Sequence, residues 1–215
     1  MSKPHFSYLY ILLLLLSFSS KAQVNLDSLW GVWNDKTQED TNRLKAINDI
    51  AWDGYLYSQP DSAFYFAQMA YDFAKSTNNK RWMANLLNIQ GISFAIRYNH
   101  EKALEYFLKS LPIREEIGNK NEMGSSYINI GNIYYGQGNY EKVLEYYAKG
   151  LAIFEQLGDK SGMGDSYFGI GTIYDDQGNY EKALEYYSKS LLIYKELGDK
   201  QGLGFTYNNI GIIHD

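Results

Sequence analysis

Few residues in this chain are suited to chemistry. There are three histidines, His5, His100 and His214, and no cysteine. Thiolate nucleophiles, thiolate zinc sites and disulfides are therefore excluded. His100 and His214 lie far apart in the chain, so the sequence suggests neither a histidine metal cluster nor a histidine-based triad. Gly164-Asp165-Ser166 sets a hydroxyl beside a carboxylate, as some hydrolytic enzymes do. A nucleophile of that kind needs a strand-to-loop setting. Here the triplet lies in a helical pattern, in register with Gly124-Ser125-Ser126, so it is read as structural. Asp175-Asp176-Gln177-Gly178-Asn179 offers the oxygens of a calcium loop. Its twelfth position would be Tyr186 or Tyr187, where such a loop needs a bidentate glutamate. The glycines recur in register with one another as turn and notch residues and do not form a phosphate cradle. No catalytic residue, metal ligand or cofactor is expected. What remains is a surface.

That surface is positioned by a stretch written three times. GNKNEMGSSYINIGNIYYGQGNYEKVLEYYAKGLAIFEQL is followed by GDKSGMGDSYFGIGTIYDDQGNYEKALEYYSKSLLIYKEL, and GDKQGLGFTYNNIGIIHD begins a further copy. A period of this size implies a solenoid whose units bury their apolar faces against one another. Each unit reads as two helices. The spacing predicts helix A over 159–177 and helix B over 180–197. Asn79, Asn119, Asp159 and Asp199 are candidate N-caps of helix A, and Asn139 and Asn179 of helix B. Gly118, Gly158 and Gly198 stand where a helix end needs positive φ, as do Gly138 and Gly178. Pro60 falls at a first helical position. Glu105/Lys109, Glu145/Lys149 and Glu185/Lys189 are i,i+4 pairs in the favourable order. Helix A carries an apolar stripe with a notch, Tyr127-Ile130-Gly131-Tyr134 and Tyr167-Ile170-Gly171-Tyr174. Helix B alternates small and aromatic residues on its inner face: Ala103, Phe107, Ser110; Val143, Tyr147, Gly150; Ala183, Tyr187, Ser190.

This pattern resembles the tetratricopeptide repeat, with its aromatic-x-x-[Leu/Ile]-Gly-x-x-Tyr signature followed by Ala-x-x-x-[Phe/Tyr]-x-x-[small]. The unit of forty residues and the Leu-Gly-Asp-Lys link are similar to the subclass found in the mammalian cell-polarity scaffold LGN and its relatives. The resemblance implies an all-α fold, a right-handed superhelical α-solenoid of helix-turn-helix repeats. The family's usual proline near the end of helix B is missing. In the family, helix A lines a concave face that takes a peptide or a partner helix. Mapped onto this chain, that face comprises Asn48, Asn85, Asn88, Ser125, Ile128, Asn132, Asp165, Phe168, Thr172 and Asn208. Asparagine amides can pair with a peptide backbone as donor or acceptor. The chaperone-binding branch places lysines where Asn88, Ile128 and Phe168 stand here, so a carboxylate clamp is not implied.

The expected organisation is a signal peptide at 1–22, a capping lead-in at 23–39, and a degenerate first repeat at 40–78. Further repeats follow at 79–118, 119–158 and 159–198, with helix A of a fifth at 199–215. Lys3, the apolar run from Phe6 to Phe18 and Ser20-Lys21-Ala22 read as an export signal cleaved before Gln23, the alternative being an uncleaved anchor. Losing Lys3 and Lys21 would lower the formal charge of −5 by two, to −7. An acidic exported chain argues against nucleic acid and anionic lipid as partners. Leu26, Leu29, Trp30 and Trp33 share a helix face, as an end cap or as a ligand-stacking surface. Gln90 puts an amide in an apolar slot, either hydrogen-bonded in the stack or facing a groove. Arg97-Tyr98-Asn99 lacks the turn glycine, and Pro112 should kink its helix. The four glycines Gly162, Gly164, Gly169 and Gly171 should make one helix A the softest of the array.

Two functions are weighed. The first is a non-catalytic scaffold binding a protein or peptide. The second is the extracytoplasmic sensor region of a longer signalling protein. The 26–68 opening and the repeats resemble exported regions of Bacteroidota-type proteins, where a membrane span and a cyclase, histidine kinase or DNA-binding output can follow. The chain is read as a fragment, with a periplasmic or extracytoplasmic location.

Overall fold

The computed structural model describes residues 25–214, and the expected signal peptide lies outside them. The described residues are helical hairpins joined by short turns, an α-solenoid of helix-turn-helix repeats. They fall into two compact units, 25–119 and 120–214. Among the described residues no helix is long and apolar enough to cross a membrane.

The first unit holds α1 (Leu26–Asn34), α2 (Asp40–Asp49), a π-helical turn (Ile50–Tyr55), α3 (Pro60–Ser76), α4 (Lys80–Ile96) and α5 (His100–Glu116). Trp30 and Trp33 turn inward. Trp30 meets Phe66 edge-on at 5.1 Å and Trp33 meets Phe73 at 5.4 Å. The Arg43 guanidinium lies 4.4 Å from the Phe73 ring centre, and its Nε donates to the Trp33 carbonyl at 3.0 Å. These contacts hold α1 against α3. Gln90 is fully buried; its Nε2 donates to Gln68 Oε1 at 2.8 Å, while its own Oε1 has no partner. The amide is therefore a hydrogen-bonded member of the stack. Tyr98 takes the missing glycine's place with φ of +58°, and Asn78 does the same with +52°. The α5 helix continues through Pro112, whose ring lies on the exposed side one turn from the helix end.

The second unit holds α6 (Lys120–Gly136), α7 (Tyr140–Leu157), α8 (Lys160–Asp176), α9 (Tyr180–Leu197) and α10 (Lys200–His214). Its boundaries follow from local chemistry. Asp159 accepts from Gly162 N at 3.2 Å, and Asn139 and Asn179 accept from Lys142 N and Lys182 N. Gly158 and Gly198 each close a helix at φ of +68°, a conformation that costs other L-residues about 1–2 kcal/mol. Lys149 and Lys189 bond Glu145 and Glu185 at 2.6 Å.

The core of the second unit is built by two rings per hairpin, each seated on one or two glycines of the neighbouring A helices. The Tyr147 ring lies over Gly131, sixteen residues back, where an added Cβ would fall 2.6 Å from it, and over Gly169, twenty-two ahead. Tyr187 lies in the same way over Gly171, while its hydroxyl accepts from Asn209 Nδ2 at 3.0 Å. Phe154 fills the space between Gly124 and Gly162, and Tyr194 that between Gly164 and Gly202. Tyr147, Phe154, Tyr187 and Tyr194 are all buried. Burying a ring of this size is worth about 1.5–3 kcal/mol. The four glycines of α8 are thus approach sites for rings. Helix propensity is exchanged there for close packing.

Candidate functional site

The A helices of the second unit, α6 and α8, border a cleft of about 240 Å³. Ser125, Ile128 and Asn129 come from α6, and Phe154 comes from the end of α7. Asp159, Ser161, Gly162 and Asp165 come from the cap and first turns of α8. The floor is Phe154, held in place by its two glycines. Asp159 is committed, since its Oδ1 receives Gly162 N and its Oδ2 receives Asn121 Nδ2 at 2.7 Å. One first-turn N–H of α8 is thereby taken, and the Asp159 carboxylate opposes an outside anion.

Asp165 is less saturated. Its Oδ1 accepts from Tyr194 Oη at 2.8 Å. Asp165 is exposed to solvent, yet neighbouring groups crowd its carboxylate and reduce its hydration. That desolvation is the main reason its carboxyl is pushed up to about 6, with Asp199 and Asp159 adding repulsion and the Tyr194 bond opposing it. No cation is among the groups acting on it. Tyr194 is raised far above the usual phenol range, first by burial and then by the Asp165 charge.

Three of the residues expected to line a binding face, Ser125, Ile128 and Asp165, meet in this cleft. Asn132 is half-buried and accepts from Tyr147 Oη. Phe168 and Thr172 lie beneath the face. Phe168 is 2% exposed in a cluster with Ala183, Tyr187 and Tyr194. Thr172 donates to the Phe168 carbonyl at 3.1 Å, and Tyr187 Oη lies 3.4 Å from its hydroxyl. Asn208 is exposed on α10. Asn48, Asn85 and Asn88 are half-buried on A helices of the first unit. Sequence reasoning missed Asn129 on α6, and also Phe154, Asp159, Ser161 and Gly162. The last four belong to the joint between hairpins, and the signal for them was the aromatic slot shared by Phe154 and Tyr194 just before each Leu-Gly-Asp-Lys link. Among the described residues no group of three acidic, histidine or cysteine side chains is placed to hold a metal ion.

Residues 82–156 and 162–215 match the tetratricopeptide repeat family. The chain belongs to that family. No curated protein matches this tetratricopeptide repeat chain. Solved structures do. The apo form of RapI superposes with a TM-score of 0.76 at 20% identity, covering 98% of this chain and 76% of that one. A Rap protein complexed with competence and sporulation factor gives 0.75 at 21%, covering 84% of this chain and 51% of its own. A signal transduction ATPase with numerous domains and a tetratricopeptide repeat sensor, from Pyrococcus horikoshii, gives 0.71 at 21%, covering 82% and 28%. The chain therefore spans about half of the factor-bound Rap protein and less of the ATPase. At these identities the likeness concerns the fold.

Proposed function

We propose that this chain is a non-catalytic interaction module that holds a peptide or protein segment against its A helices, centred on the α6/α8 cleft. The observation that carries the reading is the meeting of Ser125, Ile128 and Asp165 around a fixed aromatic floor. The family and the Rap protein seen with a bound factor support it. A photo-crosslinking residue at Ile128 should form adducts with a bound segment. The same residue at Lys189, on the exposed side of α9, should not. Equal labelling from both positions, or none from Ile128, would sink the proposal.

The second reading is a sensor region within a longer exported signalling protein of the Bacteroidota type; the fold likeness to the Pyrococcus horikoshii sensor supports the sensor part of it alone. The forty-residue subclass and the export signal belong to this proposal too. Reading the gene past the codon for Asp215 tests the first part. An output domain in frame supports it, and a stop codon soon after ends it. N-terminal sequencing of the secreted protein tests export, with Gln23 expected as the first residue.

A further inference from the structure

The cleft also indicates the kind of segment it takes, an inference that rests on the peptide-binding reading above. Four observations constrain the occupant. The volume of about 240 Å³ is below the range of roughly 300–1,000 Å³ usual for small-molecule sites, which suits one side chain of a longer ligand. The floor and one wall, Phe154 and Ile128, are apolar and offer a surface for an aliphatic stem. The α8 N-terminus, which would otherwise attract an anion, already carries the Asp159 carboxylate on one of its N–H groups. Asp165 uses Oδ1 for Tyr194, which leaves Oδ2 for a further donor, and among the described residues no lysine or arginine supplies one.

We infer that the cleft receives a lysine or arginine side chain from an extended peptide segment, its stem along Ile128 and Phe154 and its charged head at Asp165 Oδ2. A cation there would give Oδ2 a donor and balance the carboxylate charge. A neutral polar side chain could use the oxygen but not the charge. An acidic one would be repelled by Asp159, Asp165 and Asp199.

The test is selection from a phage-displayed random dodecapeptide library on the full chain, compared with Asp165→Asn and Ser161→Lys. The asparagine keeps an acceptor for Tyr194. The lysine is added at an exposed position and would place the chain's own ammonium in the cleft. Peptides selected on the unmodified chain should be enriched in lysine or arginine at one position. Replacing that residue by norleucine should weaken binding about tenfold or more, the scale of a charge-assisted hydrogen bond. Both variants should lose the enrichment. Peptides selected without a basic preference, or equal enrichment on Asp165→Asn and Ser161→Lys, overturn the cationic occupant and leave peptide binding standing. Failure to select any peptide on a folded chain overturns both.

Discussion

Gly171 and Gly211 occupy the same slot of successive A helices, and their substitution by alanine should have opposite effects. In a helix interior, alanine is favoured over glycine by about 1 kcal/mol. At Gly171 the new Cβ would fall 2.7 Å from Tyr187 Cδ1 and 2.8 Å from Cε1. Ordinary carbon contacts are about 3.5–4.0 Å, so the overlap is about 1 Å. Tyr187 cannot readily yield, because it is fully buried and Asn209 holds its hydroxyl. Overpacking of this kind costs about 1–3 kcal/mol, leaving Gly171→Ala with a net loss of about 0–2 kcal/mol after the propensity gain. At Gly211, and at Gly204 two turns earlier in the same helix, no atom of the described residues lies within 4 Å of the added carbon. Gly204→Ala should gain up to about 1 kcal/mol, and Gly211→Ala somewhat less because it sits in the last turn. In thermal unfolding followed by circular dichroism, each kcal/mol corresponds to about 2–4 °C for a chain of this length. A rise in melting temperature for Gly171→Ala comparable with that for Gly204→Ala would refute the account of the glycines as ring seats.

Three further outcomes are expected. Tyr98→Gly should stabilise the chain by about 1 kcal/mol, since φ of +58° strains a tyrosine and its side chain is 71% exposed; denaturant unfolding measures this, and a loss would mean that the ring packs. Gln90→Leu should raise the unfolding midpoint by removing a buried carbonyl oxygen that has no partner, at the expense of one bond to Gln68; a lowered midpoint would show that the bond outweighs the orphan oxygen. Asp165→Asn should stabilise at neutral pH. The Asp165 carboxyl titrates near 6 in the folded chain against an ordinary 3.8, so the folded state holds its proton more tightly. That contribution is fully present below about pH 4 and is lost as pH rises through 6. The melting-temperature gap between variant and parent should therefore be wide at pH 7.5 and close near pH 4; a gap independent of pH would contradict the desolvated carboxylate.

Helix boundaries were legible because capping is local. Asp159, Asn179 and Gly198 each act within a few residues, and a sequence displays such neighbourhoods directly. The inner faces were legible for the same reason, since 3.6-residue periodicity places Ala183, Tyr187 and Ser190 together. The π-helical turn at Ile50–Tyr55 was not. It lies where α1 presses on the chain, with Leu26 Cδ2 only 2.7 Å from a Cβ built on Gly54, and no local signal encodes that approach. The lining of the α6/α8 cleft was half legible. One register assigned Ile128 and Phe168 to a single slot, but the Phe168 ring turns under the neighbouring hydrophobic cluster while Ile128 reaches the cleft. What covers a slot depends on side chains one hairpin away, and there the copies differ.

The ring clamps bear on how such a chain can change its length. Every clamp is defined by offsets: sixteen back and twenty-two ahead for Tyr147, thirty back and eight ahead for Phe154. Excision of residues 159–198 would join Gly158 to Asp199 and bring Asn209 opposite Tyr147 and Gly202 opposite Phe154. Asn209 already donates to the equivalent ring hydroxyl, and Gly202 already seats the equivalent ring. Loss or duplication of a whole forty-residue block therefore conserves the joints, whereas a change of a few residues breaks two of them at once. Unequal recombination between the near-identical copies would shorten or lengthen the protein without asking the core to be redesigned.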